Sequence, residues 1–167
     1  MEDQVRRSIM IALIALLALT MAAPTVLAQS DNGVAPGDAS GTFTVNPGDI
    51  PGACDFPMQL EVSGKGKTIT LPDGSLILTS PGLKVTVTNL DTPENQARFG
   101  ITGSFHQSTN ETGQVTTLAR CRSLLFDPVA GTVIASGNFS YVFNSDGTLA
   151  QPLEGEGQLI DVCALLA

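Results

Sequence analysis

The side chains with the widest chemical range in this sequence are three cysteines, one histidine and a few arginines. Cys54, Cys121 and Cys163 allow three single disulfides, each leaving one thiol over. In an oxidising compartment the favoured pair is Cys54 with Cys163, because it would staple the start of the regular chain to its last strand. Cys121 is then a free thiol, expected to be buried among long strands. Arg120 and Arg122 flank it, and positive charge lowers a thiol pKa. Neighbours along a strand point away from one another, however, so those arginines need not approach the sulfur. His106 has no HxH, HExxH or CxxC spacing around it, so neither a metal site nor a cofactor is expected. A serine nucleophile would need a context such as GxSxG, which does not occur. The segment 64–68, GKGKT, lacks the spacing and following helix of a phosphate loop and reads as a lysine-rich hairpin. Paired carboxylates for glycoside hydrolysis are not singled out, and with one tyrosine and no tryptophan the chain offers little surface for stacking sugars. What remains is a possible polar lining for an interior pocket, supplied by His106, Arg98 and Tyr141.

Those residues have to be positioned outside the cytoplasm if the first residues are read as a leader. MEDQVRR puts Arg6 and Arg7 before the apolar run IMIALIALLALTMAA, and Val26 and Ala28 fit a small-residue cleavage site. The run is about 15 residues, short of the roughly 20 a membrane-crossing helix needs. Residues 1–28 are therefore expected to be a signal peptide, with a secreted chain starting at Gln29 and no stable membrane insertion after cleavage. Two acids and two bases leave with the leader, so the remainder keeps the whole net charge of −8. That field repels phosphates, and nucleic acid is not an expected partner. NSDG at 144–147 is too short for a calcium loop and reads as a turn. Asn110-Glu111-Thr112 and Asn138-Phe139-Ser140 match the glycosylation pattern, which matters only in a host that glycosylates.

From 29 to 53 the chain is rich in Gly, Pro, Asp and Ser and reads as a flexible arm with an early edge strand at 42–45. The domain proper is expected over 54–167. LKVTVTNL at 83–90 alternates most clearly, with Val85 and Val87 on one face. Further short strands are expected at 58–62, 67–71, 75–79, 96–102, 105–109, 114–126, 132–135, 138–143, 148–153 and 157–163. Gly103 is read as a bulge, and breaks are placed at Ser136-Gly137 and at 154–157. The inward set is expected to include Val85, Val87, Ile101, Phe139, Tyr141 and Leu159. No amphipathic helix follows the leader. This spacing implies an all-β fold, an antiparallel β-barrel or closed β-sandwich of about 8–10 short strands.

The wording of CDFPMQLEVSGKGKTITLPDG, SPGLKVTVTNLDT, ITGSFHQ, GNFSYVFNSDGTL and GQLIDVCALL resembles a group of small secreted proteins of actinobacteria, over about 54–166. The resemblance implies export and agrees with a bridge between Cys54 and Cys163; it brings no activity, cofactor or functional residue. The function expected from the residues is a non-enzymatic structural or interaction module with a protein or small-molecule partner. The alternative is a small-molecule-binding barrel or a cyclase-like barrel enzyme, whose interior pocket uses His106, Arg98 and Tyr141.

Overall fold

The computed structural model describes residues 34–167. The expected leader, and residues 29–33 of the expected arm, lie outside them. Eleven strands and one short helix follow in order: β1 (Gly37–Asp38), β2 (Gly41–Val45), β3 (Met58–Ser63), β4 (Lys65–Thr70), β5 (Leu76–Thr79), β6 (Lys84–Asn89), β7 (Gln96–Gly100), β8 (Ser104–Thr109), β9 (Val115–Asp127), β10 (Gly131–Phe143), β11 (Leu149–Asp161) and α1 (Val162–Leu166). They form two antiparallel sheets, one ordered β2-β3-β6-β7 and the other β1-β4-β5-β8-β9-β10-β11. The segment expected as an arm is built into both: β2 is an edge strand, and Val45 is almost fully buried.

The four-stranded sheet follows its alternation. Phe43, Leu60, Val87 and Ala97 stand in one cross-strand row and Val62, Val85 and Phe99 in another. Val85 and Val87 are fully buried, whereas Thr86 and Thr88 are only partly covered. These rows pack on Leu124 and Phe126 of β9, Ile134 of β10, Ile160 of β11 and the buried Val162 and Leu166 of α1. Each fully buried Val, Leu or Met here contributes roughly 1.5 to 3 kcal/mol by transfer. The same stretches of β9 and β10 also bury their other face, through Leu125, Val133 and Ala135. That is why the sequence reads LLF and TVIA there, with the buried Thr132, whose hydroxyl donates to Gly52 O, as the one polar residue among them.

The second core exists because the large sheet folds back on itself. Leu153 donates its backbone N–H to Asp127 Oδ2 at 3.2 Å. Leu153 lies between Gln151 and Glu154, which pair with Val142 and Ser140 of β10, while Asp127 pairs with Gly131 at the opposite end. On a straight strand those ends would stand roughly 30 Å apart at about 3.3 Å per residue. The crease runs through Cys121, Gly137 and Gly157, aligned across β9, β10 and β11, with φ of 65°, 152° and 150°. A Cβ on Gly137 would fall 2.7 Å from Gly157 Cα, so the backbones can approach only because neither residue has a side chain. The breaks expected at Ser136-Gly137 and 154–157 are therefore creases inside two continuous 13-residue strands.

Other expectations change for related reasons. The expected hairpin at 64–68 is a crossing between sheets: β3 belongs to one and β4 to the other, separated by Gly64 alone. Gly103 likewise marks a crossing from β7 to β8, with its N–H on Arg122 O and its carbonyl on Ser80 N. A Cβ there would meet Arg120 O at 2.6 Å, so the close approach requires glycine. Cys121 is exposed instead of buried, because it turns the crease at positive φ. Leu159 is 46 % exposed rather than inward, since β11 ends the sheet and no strand lies beyond it. Cys163 falls in α1, not in a strand. It is bonded to Cys54, with Cα atoms 5.3 Å apart. Asp161 caps α1 by accepting the Ala164 N–H, and the buried Asn89 donates to Leu166 O, so one backbone group at each end of the helix is satisfied.

Candidate functional site

Arg98 sits in the row Thr42, Glu61, Thr86, Arg98 of the four-stranded sheet and is exposed. Its neighbours Ala97 and Phe99 are the ones that face the core. His106 is on β8, opposite Ile77 and Leu118, and is also exposed. Tyr141 is one row over, opposite Thr117, and so projects to the other face of the same sheet, into the second core. The fold thus places the three on three different surfaces.

Each has its own surroundings. His106 Nε2 lies 3.4 Å from Ser75 Oγ, and Ser75 Oγ donates to Asp73 Oδ1 at 2.7 Å. Asp, Ser and His are together, yet their hydrogen bonds run the wrong way for nucleophilic catalysis. The serine proton is given to the carboxylate, so the histidine nitrogen must donate to the serine oxygen, whereas a catalytic histidine withdraws that proton. The same Asp73 oxygen accepts the Ser75 N–H, closing an Asx-type turn. These two bonds, the hydroxyl first, hold the Asp73 carboxyl below the usual carboxylate range. Pro72-Asp73-Gly74 is a turn pattern in its own right; the histidine arrives only through the β5–β8 register, which no local pattern reveals.

On the inner face, Gln107 Nε2 donates to Thr117 Oγ1 at 3.3 Å, and Thr117 is 1 % exposed. Burial pushes the Tyr141 hydroxyl above its ordinary value, a hydrogen bond with Thr117 partly offsets this, and the Asp127 charge adds to the rise. Asp127 is itself buried, with Oδ1 accepting from the N–H groups of Val129 and Ala130 and Oδ2 from Leu153. Around these polar groups stand Phe105, Leu125, Phe139 and Leu153. Ser123 Oγ is buried without a partner. Asp127 stands beside a turn, where aspartate is ordinarily solvated; its role in closing the fold over Leu153 depends on the crease.

At the margin between the sheets the Arg122 guanidinium lies over the Phe99 ring at 5.8 Å, a cation–π contact from β9 to β7. Among the described residues no three His, Cys, Asp or Glu side chains gather as metal ligands would. None of the helices among the described residues is long and apolar enough to cross a membrane. Comparison with family models, curated proteins and solved structures finds no match for this chain.

Proposed function

We propose that this chain is a secreted, non-enzymatic β-sandwich that works as an interaction module. The observation carrying this reading is the dispersal of Arg98, His106 and Tyr141 to three surfaces, so that these three do not converge on one substrate. Export is supported by the leader-like start and by the disulfide between Cys54 and Cys163. The resemblance to small secreted actinobacterial proteins belongs to the same reading. Two measurements test it. N-terminal sequencing of material from the culture medium should begin at Gln29, and chromogenic ester, glycoside and phosphate substrates should show no turnover. Turnover that disappears in His106→Ala or Ser75→Ala would overturn the non-enzymatic reading.

One observation favours a second reading, a small-molecule binder. Gln107, Thr117, Tyr141 and Asp127 bring polar groups to the inner side of the folded sheet, among aromatic and aliphatic walls. A ligand held there should raise the thermal midpoint by mass action and change the emission of Tyr141, and Tyr141→Phe should weaken both responses.

A further inference from the structure

Sheet edges are where an all-β domain is open to other chains, because one row of backbone N–H and C=O groups has no partner strand. The four edges here are unequal. In the large sheet β1 has only two residues, and in the small one β2 and β7 have five each. β11 has thirteen, pairs with β10 alone, and is exposed without interruption from Glu154 to Leu159. Natural edges of this length are commonly guarded by charged side chains, above all lysine, by proline or by bulges, and the register shifts of β11 lie at its beginning, opposite Ser140 to Phe143. In β11 the only proline is Pro152, near the beginning, and no lysine or arginine occurs in it. Its C-terminal part is also held firmly: α1 follows directly, Val162 and Leu166 are buried, and Cys163 is bonded to Cys54. A docking strand would meet an edge already in place, which limits the ordering cost of binding.

The side chains along this edge select the occupant. Glu154 and Glu156 stand on one face, opposite Ser140 and Asn138 of β10, and Leu159 stands on the other, opposite Ala135. We infer that the β11 edge takes up, by strand addition, an extended segment of a partner protein that alternates basic with apolar residues. Its lysines or arginines would lie beside Glu154 and Glu156, and an apolar side chain would cover Leu159, which is 46 % exposed. A second copy of this chain is the poorer occupant. Antiparallel β11 edges would bring Glu154, Glu156 and Asp161 of two molecules together, each molecule carrying a net charge of −8. The same acids that repel a copy attract a basic segment, so one set of charges serves both affinity and partner choice.

This inference rests on the interaction-module reading, and the test separates the two. The mature chain, isotope-labelled, is titrated with a nine-residue peptide alternating lysine and valine, and in parallel with one alternating glutamate and valine. Amide shifts concentrated at 154–161 with the lysine peptide alone, weakening at least tenfold between low and high salt, are the expected result. Glu154→Lys with Glu156→Lys should abolish them, and so should Leu159→Lys, with circular dichroism unchanged in both variants. Lysine-peptide shifts at another edge would overturn the β11 assignment and leave the module reading standing. Binding of both peptides equally, or dimerisation of the chain through β11 in sedimentation, would overturn the basic-segment assignment. No response to either peptide would overturn this inference, whereas ester, glycoside or phosphate turnover lost in His106→Ala or Ser75→Ala would overturn the module reading.

Discussion

Tyr141 is the only tyrosine in a chain with no tryptophan, so its ionisation can be read optically without interference. Burial raises its pKa above the ordinary 10.0, and the neutral phenol is the form the folded state holds. A group raised on folding contributes stability below its unfolded value and loses that contribution as pH climbs through its folded value. The absorbance change near the tyrosinate band should therefore come later than in the urea-unfolded chain, and alkaline destabilisation should begin above about pH 10. Coincident titrations in folded and unfolded protein would contradict the burial of this hydroxyl. Cys121 offers a second test at the same scale. Because it is exposed at the crease, a thiol reagent should label the native chain once and quickly, and three times after reduction and unfolding. Slow labelling that needs denaturant would mean that the crease shields the sulfur.

At the scale of elements, alternation made the small sheet readable. Val85 and Val87 declare their face because Thr86 and Thr88 occupy the other, and the local pattern is also the tertiary one. Leu159 lacks that signal, since Ile160 follows it directly and Gly157 and Asp161 flank it on its own face; with no strand beyond β11 it is exposed. Glycines misled in a consistent way. At Gly64, Gly103 and Gly137 a turn, a bulge and a break were reasonable local readings. The structure uses these glycines for two sheet crossings and a crease, all long-range arrangements that leave no periodic signal. The candidate site was less legible still, because which face His106 or Tyr141 takes depends on registers with β5 and β9. A pair of substitutions tests the crease. Gly74 and Gly137 both have positive φ, but a Cβ at Gly74 meets nothing within 4 Å, whereas one at Gly137 crowds Gly157 Cα at 2.7 Å. Gly74→Ala should destabilise by roughly 1 kcal/mol through backbone strain. Gly137→Ala should lose about 3 kcal/mol or more, because strain and backbone collision combine. Equal losses in urea unfolding would mean that β10 and β11 do not depend on this close approach.

For the whole molecule, the question is what unites two sheets whose strands are so unevenly shared. One contact is the Arg122 stack on Phe99; another is the core around Met58, Val85, Val87 and Ile134, to which β3, β6 and β10 all contribute. The disulfide acts on the same union from the ends of the chain. Cys54 precedes β3 in the small sheet, and Cys163 lies in α1, directly after the last strand of the large one, 109 residues away. Closing a loop of that length restricts the unfolded chain by about 5 kcal/mol in the simple entropy model. A typical domain is stable by only about 5 to 15 kcal/mol, so this single bond is comparable with the entire margin. Replacing both Cys54 and Cys163 by serine should thus move the urea midpoint down sharply, and it also sets two hydroxyls into surroundings where Cys54 is 2 % exposed. Replacing both by alanine separates these contributions, because it removes the bridge without adding polar groups. The alanine pair should lose about 3 to 5 kcal/mol and the serine pair more. Cys121→Ser, at an exposed position, should stay within about 0.5 kcal/mol of the parent. If the alanine pair also stayed that close, the two sheets would be held by their shared core alone, and the bridge would be dispensable to the fold.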